Sequence, residues 1–186
     1  MRATQVLRDE HEGILAMLAV VEAAARRLQS GKEIPGDLMT NAVEFFRTFA
    51  DRCHHGKEEA ELFPLLEQRG IPKEGGPIGA MLIEHDQGRA FVRAISDAAN
   101  RYAQGDASAV PTLVQNTLGY VNLLREHIWK ENNVLFPTAD QVLSDTDQEK
   151  LHAAFEHVEQ TLIGPGVHER YHALIAEYQN IVASWT

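Results

Sequence analysis

Two eleven-residue strings, 73 residues apart, constrain this chain more than any other feature: HHGKEEAELFP beginning at His54 and HIWKENNVLFP beginning at His127. Six of the eleven positions are identical, pairing His54 with His127, Lys57 with Lys130, Glu58 with Glu131, and Leu62-Phe63-Pro64 with Leu135-Phe136-Pro137. A histidine and a glutamate four residues apart lie one above the other on a helix face, so each string can aim an imidazole and a carboxylate at a common point. One such pair is ordinary surface decoration. Two copies on helices of the same polarity are a built feature.

The remaining sequence predicts helices around these strings. Clusters of Gly and Pro at 30–37, 69–79, 103–108 and 163–167 punctuate long segments that lack the alternation of strands. Between about 4 and 29, apolar residues at 7, 14, 18, 21, 25 and 28 draw one helical stripe, with His11 in the vacant position. Further helices are expected over about 36–63, 78–104 and 108–136. His85 shares a face with Ile78, Leu82, Val92, Ile95 and Ala99, and His127 and Glu131 share one with Leu113, Tyr120, Leu124 and Val134. Four amphipathic helices joined by short loops predict an all-α fold, an up-down-up-down four-helix bundle over residues 1–140. After Pro137, helices over 145–162 and 167–183 flank a GPG turn. Residues 141–186 are therefore expected to form a C-terminal helical hairpin packed on the bundle, not an independent domain. Its Leu162, Ile163, Leu174, Ile175, Ile181 and Trp185 would cover the bundle or make a homodimer contact.

The bundle core would then hold His11, His54, Glu58, His85, His127 and Glu131. Repeat register selects His54 and Glu58 over their neighbours His55 and Glu59, as does the apolar line Val43, Phe46 and Ala50 that steps down to His54. His55 and Glu59 remain open as outer residues, or His55 as an extra ligand from the flank. A lone histidine in an apolar stripe is more often a hydrogen-bonded core residue than a ligand. Burying four imidazoles and two carboxylates together without a cation, however, would cost several kcal/mol for each unpaired charge. Six N/O donors without a thiolate are too many for one tetrahedral zinc and favour two adjacent first-row ions, most plausibly iron. In the simplest arrangement each ion takes two histidines and shares both glutamates. Positions are then left for an oxo or hydroxo bridge and for dioxygen, nitric oxide or peroxide.

Composition closes off other functions. With 27 acidic against 17 basic residues the formal charge is −10, which repels phosphate backbones and anionic membrane surfaces, so neither nucleic acid nor membrane is expected as a partner. No apolar run reaches a membrane span, and Arg8, Asp9, Glu10 and Glu12 interrupt any signal-peptide core, so a cytoplasmic protein is expected. The single cysteine, Cys53, excludes an internal disulfide and a multi-thiolate zinc site and reads as a small buried residue. His152, His157, His168 and His172 lie on no common apolar stripe and read as surface or packing residues. Glu149 and His152 form the one buried-looking Glu-x-x-His, where a ferritin-type site needs two. Phe46, Phe49, Tyr120 and Trp129 are candidate neighbours of a ligand pocket, and ordinary core packing accounts for them equally well.

The repeated HxxxE before LFP, with one histidine on each intervening stripe, resembles the hemerythrin-like, HHE cation-binding domain over about residues 4–137. The resemblance implies a non-haem di-iron centre inside a four-helix bundle, held by His11, His54, Glu58, His85, His127 and Glu131. It departs from oxygen-carrying hemerythrins in two places. The third helix offers Met81 and Arg89 at the four-residue steps from His85, and the fourth spaces His127 and Glu131 four apart. The six-residue set is closer to bacterial proteins that repair iron centres and to the iron- and oxygen-sensing domain of ubiquitin-ligase adaptors. The cysteine-bearing N-terminal domain of the repair proteins is expected to be absent, because the first helix is expected to start within the first few residues. The resemblance implies a centre that binds or senses dioxygen, nitric oxide or peroxide. The alternative is a di-iron oxidoreductase in peroxide or nitric oxide detoxification, iron-centre repair or iron handling.

Overall fold

Helices account for nearly every segment between the Gly/Pro breaks in the computed structural model, which describes residues 2–164 and 166–185, with Leu162 and Ile163 described in backbone only. Pro165 and the side chains of Leu162 and Ile163, part of the expected turn and hairpin face, lie outside the described residues. Six helical runs follow one another. They are α1 (Ala3–Gln29), α2 (38–68), α3 (Pro77–Ala103), α4 (110–142), α5 (145–163) and α6 (Val167–Ala183). There is no strand among the described residues. A tight turn sets the start of α3: a Cβ on Gly76 would lie 2.0 Å from the Pro72 carbonyl oxygen, so only glycine fits before Pro77.

Two helices run further than expected. Pro64 and Pro137 predict helix ends near 63 and 136, yet α2 continues to Gln68 and α4 to Val142. A proline inside a helix lacks the N–H that would bond four residues back, and its ring crowds that carbonyl. Here the preceding turn widens into a π-turn, Glu58–Leu62 in α2 and Glu131–Leu135 in α4. The Phe63 N–H donates to the Glu58 carbonyl and the Phe136 N–H to the Glu131 carbonyl, five residues back in each case. The wider turn absorbs the proline without breaking the rod. It also changes the register within and after it, so that Val134, expected on the inner face, is 50% exposed while Leu135 and Phe136 are buried. A longer π-helical stretch, Phe46–His55, precedes the first ligand pair.

The apolar core is divided into two clusters. One gathers Ile14, Leu18, Val21, Phe46, Ala50, Ile95, Leu113, Tyr120 and Leu124. The other gathers Ala3, Leu7, Leu62, Phe63, Ile78, Met81, Leu135 and Phe136. Going along each helix, α1 and α3 pass from the second cluster to the first, and α2 and α4 pass from the first to the second. The predicted histidines fall at the crossing point in all four.

The C-terminal helices pack on this assembly. Leu151 and Phe155 of α5 join the second cluster, and Tyr171, Ile175 and Tyr178 of α6 join the first, with Leu174, Ile181 and Trp185 half-buried beside them. Polar contacts fasten the same joint: Gln148 Oε1 accepts from the Ala3 N–H at 2.7 Å, Arg69 pairs with the buried Asp147 at 2.6 Å, and Asn41 donates to the Tyr178 hydroxyl at 2.7 Å. Asp147 also closes the capping box of α5 with Ser144. No helix among the described residues is long and apolar enough to cross a membrane.

Phe155 is 2% exposed, so Phe155→Ala is expected to cost about 3–5 kcal/mol. Denaturant unfolding followed by circular dichroism should show one transition at a lower midpoint. An unchanged midpoint would mean that α5 contributes nothing to the bundle's stability.

Candidate metal centre

Between the two apolar clusters lies a layer in which His11, His54, His85 and His127 are each 1% exposed and Glu58 and Glu131 are fully buried. All six residues predicted from the repeat and the stripes meet here. The His11 and His54 Nε2 atoms lie 2.9 Å apart, and those of His85 and His127 3.2 Å apart. Glu58 spans the two pairs, with Oε1 3.7 Å from His54 Nε2 and Oε2 3.5 Å from His85 Nε2. Glu131 spans them from the other side, its Oε2 3.2 Å from His11 Nε2 and 3.4 Å from His127 Nε2.

Each imidazole is oriented from behind. His54 Nδ1 lies 2.9 Å from Glu10 Oε2, His127 Nδ1 2.9 Å from Glu84 Oε2, His85 Nδ1 2.7 Å from Glu59 Oε1, and His11 Nδ1 2.9 Å from Asn132 Oδ1. Carboxylate and amide oxygens only accept, so each Nδ1 carries the proton and each Nε2 turns a bare lone pair inward. The Lys57 and Lys130 ammonium groups in turn hold Glu10 and Glu84. The arrangement is crosswise and repeats the sequence repeat: Glu10 beside His11 serves His54, Glu84 beside His85 serves His127, and Glu59 and its counterpart Asn132 serve the histidines of the other helices.

Sequence reasoning left the roles of Glu10, Glu84, Lys57 and Asn132 unread. A signal existed. The dipeptide Glu-His occurs four times, and two of these, at 10–11 and 84–85, fall on α1 and α3 where the predicted stripe histidines sit, while the repeat itself preserves Lys57 as Lys130.

His55 is also part of the layer. Its ring stacks on that of His85, with centroids 3.8 Å apart, and its ligating atom falls with those of Glu58, His85 and His127 in one group within 4.8 Å. His11, His54, Glu58 and Glu131 form the matching group. Consecutive residues of an α-helix point too far apart for both to face a core, but the π-helical stretch that ends at His55 narrows the angle between them. Glu59, the other open residue, stands outside as the partner of His85 and of Arg89.

Electrostatics describe a site short of positive charge. Burial, then the neighbouring Glu131 carboxylate, push the Glu58 carboxyl well above the usual range. Burial opposes the Glu131 charge too, but the His127 and His11 imidazoles hold its pKa well below that range. Burial and the adjacent His11 take the His54 imidazole down to about 4, and burial beside His85 likewise depresses His55. Neither oxygen of Glu58 or Glu131 has a hydrogen-bond partner. Facing lone pairs around orphaned carboxylates are costly to bury unless a cation lies between them.

The donor set fits first-row metal ions. With a metal–nitrogen bond of about 2.1 Å, cis imidazoles on an octahedral ion lie about 3.0 Å apart and those on a tetrahedral ion about 3.4 Å. The observed 2.9 Å agrees with the octahedral figure, and 3.2 Å falls midway between the two. Nitrogen and oxygen donors without thiolate suit iron.

Other expectations change. Glu149 is exposed, so Glu149 and His152 form no buried Glu-x-x-His, and Trp129, expected near the pocket, is 61% exposed. Phe46 and Tyr120 do lie near it, packed edge to face at 4.9 Å. His157 and His172 are exposed, and His168 packs its ring on Phe49 at 5.1 Å. Burial raises the Cys53 thiol to about 12, which keeps it protonated and unreactive.

The sequence profile of the hemerythrin HHE cation-binding domain matches residues 2–139, which contain every residue of this layer. The chain belongs to the hemerythrin HHE family. Similar proteins include an uncharacterized protein of Mycobacterium tuberculosis, 27% identical over 162 residues that make up 87% of this chain and 63% of that protein. They also include the iron-sulfur cluster repair proteins YtfE of Salmonella schwarzengrund and Escherichia coli, 38% and 35% identical over 134 residues, 70% of this chain and 60% of each relative. The chain thus spans about three fifths of the length of the curated relatives it matches. Membership in this family makes the chain a cation-binding protein, and the buried His/Glu layer gathers donor atoms that could hold the cation.

Because the folded Glu58 pKa is raised, its contribution favours the protonated folded form and is lost as pH rises through the raised value. Metal-free protein is therefore expected to melt at least about 3 °C lower at pH 9 than at pH 6 relative to Glu58→Gln, which carries no such charge. Scanning calorimetry of both proteins measures this, and parallel pH profiles would contradict the assignment.

Proposed function

We propose that this chain holds a non-haem di-iron centre and uses it to bind or sense a small molecule of the class of dioxygen, nitric oxide or peroxide. His11 and His54 would hold one ion and His85, His127 and His55 the other, with Glu58 and Glu131 within reach of both. The observation that carries this reading is the pair of facing Nε2 atoms on either side of four unpartnered carboxylate oxygens. The reading takes α1 to α4 as an up-down-up-down bundle, supported by the alternating order in which those helices cross the two apolar clusters.

Bound iron supplies ligand exchange and one-electron chemistry at open coordination positions. The chain supplies the rest. Glu10, Glu59, Glu84 and Asn132 fix the imidazole tautomers, Lys57 and Lys130 anchor two of those carboxylates, and the apolar clusters above and below keep water from the layer. Asymmetry favours an exchangeable position on one ion: His55 has no histidine counterpart, since the repeat places Ile128 there. A second reading, iron handling in the repair of iron-sulfur clusters, draws on the printed role of the YtfE relatives.

Protein purified without added metal is expected to contain about two irons per chain and to show near-ultraviolet charge-transfer absorption. A His54→Ala, His127→Ala double variant should lose both, whereas His172→Ala, exposed on α6, should keep them. Elemental analysis with absorption spectroscopy decides the matter. Iron retained in the double variant, or absent from the parent, would overturn the reading.

A further inference from the structure

Lys57 is fully buried, a place where an ammonium group is found only when it is well paired. Two carboxylates pair with it. Glu10 lies on one side, and Glu159 Oε1 lies 2.5 Å from the Lys57 Nζ on the other. Glu10 belongs to α1 and faces His54 Nδ1 at 2.9 Å. Glu159 belongs to α5 of the C-terminal hairpin, beyond the residues that match the HHE domain. It stands one turn after Phe155, whose ring centroid is 5.8 Å from the Lys57 ammonium, so one face of α5 presents both groups to Lys57. A continuous line of contacts therefore runs from the hairpin to a candidate ligand, through Glu159, Lys57, Glu10 and His54 in turn.

The internal repeat supplies the comparison. In the other half Lys130 holds Glu84, and Glu84 faces His127 Nδ1 at the same 2.9 Å. There the line stops. The Lys130 side chain is 37% exposed, and Glu84 is its one carboxylate partner among the described residues. The two lysine-glutamate supports thus differ by one group, Glu159, and by the burial that comes with it.

An ammonium held by a single carboxylate offsets that carboxylate's charge. One shared between two carboxylates offsets each only in part, and exclusion of water leaves the remainder poorly screened. Glu10 therefore draws on the His54 Nδ1 proton more strongly than Glu84 draws on that of His127. A histidine whose Nδ1 proton is held in this way is the more basic donor through Nε2.

Resting on the di-iron reading, we infer that Glu159 is a positioning residue for the metal centre. Acting through Lys57 and Glu10 on His54, it sets how firmly the ion at His11 and His54 is held and leaves the ion at His85 and His127 unaffected. The C-terminal hairpin is then part of the centre's support as well as a cover for the bundle.

Two substitutions on α5 test this. Glu159→Gln keeps an oxygen that can accept from Lys57 and removes only the charge, whereas Glu156→Gln removes the same charge from an exposed position on the same helix. Metal-free protein is read first, by nitrogen-15 NMR of the histidine rings, with the His54 Nδ1 proton assigned by its loss in His54→Ala. In Glu159→Gln that proton is expected to move upfield while the His127 Nδ1 proton keeps its place; in Glu156→Gln neither moves. Iron-loaded protein is read next, by release to a chelator. Removing an outer partner of a ligating histidine costs about 10–100-fold in metal affinity, and Glu159 acts two groups further out. One of the two irons should therefore leave about threefold or more faster in Glu159→Gln, while the other keeps the parent rate. A purely structural role would speed both. Glu159→Ala, which also removes the hydrogen bond, should move both readings further in the same direction. A His54 proton unmoved in Glu159→Gln, one that moves equally in Glu156→Gln, iron release at the parent rate, or equal acceleration of both irons would each overturn the inference. Parent protein that takes up no iron overturns the di-iron reading, and the ring protons of the metal-free protein still decide whether Glu159 acts on His54.

Discussion

Four imidazole lone pairs and two carboxylates share one dry layer in the middle of this fold, and the remainder of the structure is arranged around that cost. The layer separates two apolar clusters that would otherwise merge. It is tolerated because each of these four imidazoles has a partner on its outer side, from Asn132 on His11 to Glu10 on His54, itself held by Lys57. The Glu58 and Glu131 oxygens that face those imidazoles lack partners. That division, satisfied behind and orphaned in front, distinguishes a ligand layer from a misplaced polar core, in which unpaired atoms would fall at random.

The internal repeat explains how such a layer is built economically. Each half contributes a short motif, Glu-His on one helix and His-x-x-Lys-Glu on the next, and each half's Glu-His acid orients the histidine of its own second helix. The halves then lock together through Glu59 on His85 and Asn132 on His11. Divergence between them is concentrated on one side: His55 where the other half has Ile128, and a charged Glu59 where it has the neutral Asn132. The two donor groups thereby become chemically distinct, with the extra imidazole beside His85 and His127.

Much of this was legible in the residues. The stripes of α1 and α3 with a histidine in place of a leucine marked His11 and His85, and the repeat marked His54, Glu58, His127 and Glu131. What was left open or unread has a common cause. An α-helical period of 3.6 places His55 and Glu10 off the inner face, yet π-turns change the period locally and interhelical carboxylates reach a neighbour's site from the flank. The same period set the ends of α2 and α4 at their prolines and Val134 on the inner face, and the π-turns that carry Glu58 and Glu131 revised both. The widened turns coincide with the ligands, so the rule failed where the function lies.

The most direct test of the account is the position of the metal itself. Anomalous diffraction collected on either side of the iron edge, from crystals of protein purified without added metal, should show two peaks in the layer. One should lie at bonding distance from His11 and His54, the other from His85, His127 and His55, with Glu58 and Glu131 between them. A single peak, none, or density elsewhere, such as beside Glu10, Cys53 and His168 where three further donor atoms converge, would contradict the di-iron centre on which the account rests.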